Sequence, residues 1–219
     1  MKNNYKIILA SKSPRRARVL EMIKVNFKVA PSKINEEINP KIEQNEIAID
    51  ISKAKARTIS NRYPNDIIIG ADTIVVSNEE IFGKPKDINE SKKMLIALSG
   101  NSHKVITGVT IMNKRLGIVK TFSEMTEVFV KKIPTKKIDY YINNFNTLDK
   151  AGSYGIQEWF SVWIKKINGC YYNVMGLPVS KLYKHLVETE DLMKWYSFNI
   201  YYKFTELQKV AMVKVKSKY

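Results

Sequence analysis

The residues of this 219-residue chain best equipped for chemistry lie near its start. Ser11, Lys12, Ser13, Arg15 and Arg16 crowd around Pro14 immediately after the apolar run Tyr5–Leu9. Ser13 suits a helix N-cap, and Pro14 suits the first turn behind it. A helix N-terminus attracts anions through its free N–H groups and the positive end of its dipole. Arginine forks match phosphate oxygens, so the leading reading is a phosphate cradle built from Ser13, Arg15 and Arg16. The alternative is a capped helix with a basic first turn, which the dipole opposes.

Asp72 follows the β-branched run Asp66–Gly70, where an α/β sheet commonly presents a catalytic side chain at a strand end. A carboxylate there can take a proton from water or bind Mg²⁺, or it can simply cap the turn. Glu36, in a polar loop, can supply a second carboxylate to a metal, or be a surface glutamate. Lys53 and Lys84 can balance phosphate charge, Lys84 inside a Gly-Lys-Pro turn. The Gln157 amide carries donors and an acceptor fit to read a base edge, or to stabilise its own loop. His103 reads as structural. No GxxxxGK[ST] and no GxGxxG is present, which removes a Walker-type site and the usual dinucleotide fingerprint.

These groups need elements to hold them. A strand over Tyr5–Leu9 feeds a helix at 15–24, with a second strand at Asn26–Ala30 and a helix at 43–62. Extended segments follow at Asp66–Gly70 and Thr73–Val76, with Ala71 and Asp72 between them. A helix is predicted at 88–98, two long strands at His103–Met112 and Gly117–Lys131, and a helix from Pro134 to Asn144. A strand pair is predicted across Asn168-Gly169, and a last helix ends near Val187. Alternating strands and helices indicate α/β architecture with antiparallel character from the 103–131 pair. The segment 188–219 carries six aromatics between Trp195 and Phe204 and weak periodicity, and reads as an appendage to a domain spanning 1–187.

The formal charge of +16, from 37 basic and 21 acidic residues, points to polyanionic partners. Nucleic acid, acidic lipid and nucleotide phosphate all qualify, but lysines are scattered through nearly every segment and form no dense arm, a pattern that a generally lysine-rich proteome also produces and that is weighed above DNA binding. Cys170 is alone and only His103 and His185 are present, so cysteine–histidine zinc sites and multi-histidine metal sites are excluded. No apolar run approaches a membrane span and the first residues lack a signal-peptide pattern, so a cytoplasmic location is expected.

Together, ASKSPRR (10–16), Asn35-Glu36, SKAKA (52–56), IGADTIVV (69–76), GKP (83–85), LSGNSHKVITGV (98–109), LDKAGSYGIQ (148–157) and NVMGLP (173–178) resemble the Maf family of nucleoside triphosphate pyrophosphatases. The matching order covers roughly 5–187. The resemblance implies a two-lobed α/β fold with a mixed twisted sheet and a deep cleft. It also implies a divalent cation (Mg²⁺, Mn²⁺ or Co²⁺) and a homodimer. Asp72 resembles the group that activates water; Arg15, Thr73 and Gln157 resemble the positions setting nucleobase preference. Ser13, Arg16, Glu36, Lys53 and Lys84 resemble the phosphate- and metal-binding set, with Asp72 shared between catalysis and metal. Thr73 after the aspartate resembles the branch acting on dTTP and UTP. Glu158-Trp159-Phe160 stand where the family commonly has glycines, so an altered base pocket is expected. Asn35 replaces a common aspartate.

The expected function is cleavage of dTTP and UTP to the monophosphate and pyrophosphate. Two alternatives stay open: a non-catalytic nucleotide- or nucleic-acid-binding regulator of cell division, and the same enzyme acting on a modified purine such as 7-methyl-GTP.

Overall fold

A computed structural model describes residues 5–34 and 42–195. Glu36 and Asn35 lie outside the described residues, as does the aromatic run beyond Trp195. Strand β1 (Ile7–Leu9) is buried throughout, as a continuous apolar run requires of a central strand. Helix α1 (Pro14–Met22) then begins as its residues dictate: Ser13 caps it by accepting from the Arg16 N–H, and Pro14 takes the first position. Strand β2 (Phe27–Val29), helix α2 (Gln44–Ser60), strands β3 (Ile67–Ser77) and β4 (Glu80–Phe82) and helix α3 (Ile88–Leu98) follow. Asp87 caps α3 by accepting from the Glu90 N–H. The hairpin β5 (Ser102–Asn113) and β6 (Ile118–Val130) leads to helix α4 (Thr135–Asn144), strand β7 (Ile164–Asn168), the short helix α5 (Tyr171–Val174) and helix α6 over 179–195.

The seven strands form one mixed sheet in the order β2-β1-β3-β5-β6-β7, with β4 paired to β3 off that path. β1 pairs in parallel with β2 and β3; the other pairings are antiparallel. The α/β class with a mixed sheet is therefore as the sequence predicts. No helix among the described residues is long and apolar enough to cross a membrane.

Three local expectations differ from the structure. The two extended segments around Ala71-Asp72 are one strand, β3, because β5 pairs with it without interruption from Ile68↔Met112 to Val76↔Lys104. Asp72 therefore sits mid-strand, not at a strand end. Gly169 leads into α5, not into a second strand. Helix α6 passes Val187 and continues to 195, with Thr189 and Met193 buried, Met193 in the main core. The boundary expected after 187 thus falls inside a helix.

How β3 is flanked decides where the site opens. One edge is covered by β5. The opposite edge is shared by two short strands: β1 pairs at Ile67–Ile69 and β4 at Val75–Ser77. Between them, no strand among the described residues lies beside 70–74 on that edge, so side chains from both faces of the sheet reach one opening. On one face α2 lies directly against the sheet. A Cβ on Gly70 would fall 2.2 Å from the Ser52 carbonyl oxygen, and one on Gly108 would fall 2.3 Å from the Ala48 carbonyl. Only glycine permits that approach. The opposite face holds the main core, in which Tyr141, Phe160, Leu20 and Leu95 are almost fully buried. Each such side chain contributes roughly 1.5–3 kcal/mol relative to exposure.

Candidate active site

The opening beside β3 is the mouth of a cleft of about 1120 Å³. Its walls are the β1–α1 turn, the middle of β3, the Gly83–Lys86 loop, the segment 146–154 and the turn at 174–176. Among the described residues, eight basic side chains line it (Lys12, Arg15, Arg16, Lys33, Lys55, Lys84, Lys86 and Lys150) against two acids, Asp72 and Asp149. That imbalance suits a ligand carrying several negative charges.

At the centre, the Asp72 carboxylate accepts from the Lys55 ammonium at 2.6 Å, with both side chains under a tenth exposed. Asp72 shares a face of β3 with Gly70 and Ile74, the face against which α2 packs, and this close packing brings Lys55 within reach. Lys53, the lysine the sequence suggests, does not line the cleft. Two residues along a helix turn the side chain by about 200°, so only one of the pair can face Asp72. The signal was present: Ala48, Ser52, Lys55 and Ile59 are all buried at helical spacing, which puts Lys55 on the sheet-facing stripe.

The cradle residues come together in unequal roles. Arg16 is buried, its Nε donating to the Gly176 carbonyl at 2.8 Å, Nη1 to Ser11 Oγ at 3.0 Å and Nη2 to Thr73 Oγ1 at 3.0 Å. It ties the β1–α1 turn to β3 and to the 174–176 turn. Thr73 stands on the opposite face of β3 from Asp72 and shares a further hydrogen bond with Thr107 at 3.0 Å. Ser13 lines the cleft, its hydroxyl occupied in capping. Lys84 lines the cleft and is exposed there.

Arg15 reaches across to Asp149, with Nη1 to the carboxylate at 2.8 Å and Nη2 to the backbone carbonyl at 3.0 Å. Asp149 also accepts from Lys150 at 2.8 Å. Burial raises the Asp149 pKa, but the hydrogen bonds from Lys150 and Arg15 outweigh it and the group sits below the usual carboxylate value. Neither Asp149 nor Lys150 was singled out from the sequence; their loop carries no pattern that reveals partners so far off in the chain.

Gln157 is brought near this region but does not line the cleft. Its amide donates to Glu158 Oε1 at 3.3 Å, and its own carbonyl oxygen is buried without a partner. The aromatic pair expected to alter the base pocket does not line the cleft either. Phe160 is core, packed on Tyr154 and Tyr141, and Trp159 stacks among Tyr140, Tyr141, Phe145 and Trp163. Burial explains why aromatic residues are used at these two positions. His103 is structural, as predicted: its Nε2 shares a 2.7 Å hydrogen bond with the Tyr154 hydroxyl, and burial lowers its pKa to about 4. Among the described residues, no three of His, Cys, Asp and Glu come together to hold a metal ion.

The sequence description of the Maf-like protein family matches residues 6–189. The chain belongs to the Maf-like family. A Cytophaga hutchinsonii protein named dTTP/UTP pyrophosphatase is 47% identical over 185 residues, 84% of each chain. Proteins of the same name from Thermosipho africanus and Carboxydothermus hydrogenoformans are 48% and 41% identical, over 81% and 84% of this chain and 90% and 98% of their own. A solved structure of a HAM1 protein from Coxiella burnetii matches 59% of this chain and 75% of its own, at 17% identity and a TM-score of 0.44.

Proposed function

We propose that this Maf-like protein is a nucleoside triphosphate pyrophosphatase that cleaves dTTP and UTP to the monophosphate and pyrophosphate. The observation that carries this reading is the buried Lys55–Asp72 pair at the unflanked edge of β3, inside a cleft with eight basic residues. Relatives 41–48% identical to this chain over the aligned residues bear the name of that activity.

The chemistry follows from the charges. A triphosphate carries about four negative charges, and Lys12, Lys33, Lys84 and Lys86 offset them along the cleft. Water adds to one phosphorus of the α–β bridge, the bridging oxygen leaves with the other, and a proton must be taken from the water. Asp72 accepts that proton: its Oδ1 is held by Lys55, which leaves Oδ2 for the water. The same lysines stabilise charge that grows on the departing pyrophosphate.

A divalent cation fits this donor set as a passenger of the substrate. Mg²⁺ needs only one or two carboxylates when phosphate oxygens and water fill its remaining positions; Asp72 would be one of them, and Glu36, the second that the family resemblance suggests, lies outside the described residues. Bound there, it would supply further charge neutralisation on the phosphates.

The test is product identity across a panel of nucleoside triphosphates with Mg²⁺ or Mn²⁺. Pyrophosphate with dTMP or UMP is expected. Orthophosphate with a diphosphate, or no cleavage of any nucleotide, refutes the reading.

A further inference from the structure

Glu158 does not line the cleft, yet it collects more partners than any acid that does. Its Oε1 accepts from Lys150 at 3.2 Å and from the Gln157 amide at 3.3 Å, and its Oε2 accepts from the Tyr141 hydroxyl at 3.1 Å. The Tyr141 oxygen in turn accepts from the Gly155 N–H at 3.1 Å. Lys150 is almost wholly buried, 4% exposed, so its ammonium needs compensation from nearby carboxylates and carbonyls. It has Asp149 Oδ1, Glu158 Oε1 and the Asn146 carbonyl. The second Asp149 oxygen is the one that holds Arg15. Charges thus alternate along a line that starts outside the cleft and ends in it: Glu158, Lys150, Asp149, Arg15.

We propose that Glu158 is a positioning residue that sets nucleotide affinity and base preference by fixing Arg15 through Lys150 and Asp149. This rests on the reading that the cleft takes a pyrimidine nucleotide. With Glu158 in place, Lys150 is shared between two carboxylates and Asp149 can give one oxygen to Arg15. Without that charge, Asp149 is the only carboxylate left to Lys150 among these contacts, and is drawn toward it. The grip on Arg15 then loosens.

Arg15 is the end of the line that matters for binding. Both its terminal nitrogens are tied to Asp149, and the carboxylate offsets its charge. An arginine so neutralised and so held is suited to a neutral acceptor in a fixed place, such as a base carbonyl. Thymine and uracil offer two carbonyls, cytosine one with an amino group in place of the other. A fixed donor therefore favours the first two and leaves the cytosine amino group facing another donor. Phosphate binding falls to the lysines elsewhere along the cleft.

The experiment measures kcat and KM for dTTP, UTP and CTP in the unaltered protein, Glu158→Gln, Asp149→Asn and the double variant. Glu158→Gln keeps the shape and removes the charge. We expect KM for dTTP and UTP to rise roughly tenfold, the worth of one charge-assisted hydrogen bond, with kcat changed less than about threefold. The preference for UTP over CTP narrows in both single variants. Because both act on one line, the double variant is no worse than Asp149→Asn alone, whereas independent roles would multiply. Unchanged KM and base preference in Glu158→Gln, or multiplicative effects in the double variant, overturn the proposal while leaving the pyrophosphatase reading intact. No pyrophosphate from the unaltered protein overturns both. A variant whose losses in kcat and KM are equal for all three nucleotides and track a lower melting temperature shows a merely structural role, which also overturns it.

Discussion

Replacing Gly70 by alanine tests whether helix α2 must touch the sheet for the site to exist. The added Cβ would lie 2.2 Å from the Ser52 carbonyl oxygen and 2.9 Å from Ala56 atoms, whereas ordinary contact begins at 3.4 Å. The obstacle is helix backbone, which cannot swing aside as a side-chain tip can, so α2 must retreat by about 1 Å. Overpacking of this kind costs roughly 1–3 kcal/mol. In a domain of this size that lowers the melting temperature by about 2–4 °C per kcal/mol, or about 2–12 °C in all. The same retreat stretches the 2.6 Å Lys55–Asp72 contact beyond hydrogen-bond range. A misplacement of about 1 Å costs on the order of a hundredfold in rate. The assays are a thermal melt followed by circular dichroism, and pyrophosphate release from dTTP. Gly83→Ala serves as the stability control, because nothing lies within 4 Å of its Cβ position. If Gly70→Ala melts within 2 °C of the unaltered protein and keeps its rate within about threefold, α2 is not pressed on the sheet as described, and the reasoning fails.

Other perturbations have equally definite outcomes. Lys55→Met leaves the buried Asp72 charge without its ammonium, and should destabilise the fold by about 3–5 kcal/mol in a urea titration; a loss under about 1 kcal/mol contradicts the pairing. His103 stays neutral in the folded chain down to pH about 4, while the unfolded chain takes up that proton near pH 6.5. Acid therefore favours unfolding between those values, and stability falls by up to about 3 kcal/mol as the pH drops from 6.5 to 4. His103→Gln should flatten that part of the stability curve, and an unchanged slope rules the histidine out as its cause.

Much of the fold was legible in the sequence because local signals and burial agreed. Ser13-Pro14 marks a helix start that the structure reproduces, the helix expected at 88–98 is α3, and the β-branched runs became sheet. The misreadings come from places where tertiary contacts decide. A carboxylate in an apolar run looks like a strand end, yet β5 pairs straight past Asp72. The choice between Lys53 and Lys55 turns on helix phase, readable only if a lysine is accepted on a buried stripe. Trp159 and Phe160 looked like intruders in a binding pocket because their burial depends on α4, which lies earlier in the chain. Asp149 and Lys150 were silent, since an ion pair between a loop and a helix some 134 residues away leaves no spacing to detect; Glu158 stood out only as a departure from the family pattern, with no sign of its partners.

Single-turnover release of pyrophosphate from dTTP by Asp72→Asn, beside the unaltered protein, tests the central claim most directly. Asparagine keeps the size and the hydrogen-bonding oxygen but cannot accept the proton of an attacking water. The account predicts that the rate falls by about 10²–10⁴ while the variant remains folded and still binds nucleotide. A variant that releases pyrophosphate at the unaltered rate would show that Asp72 is not the proton acceptor of this cleft.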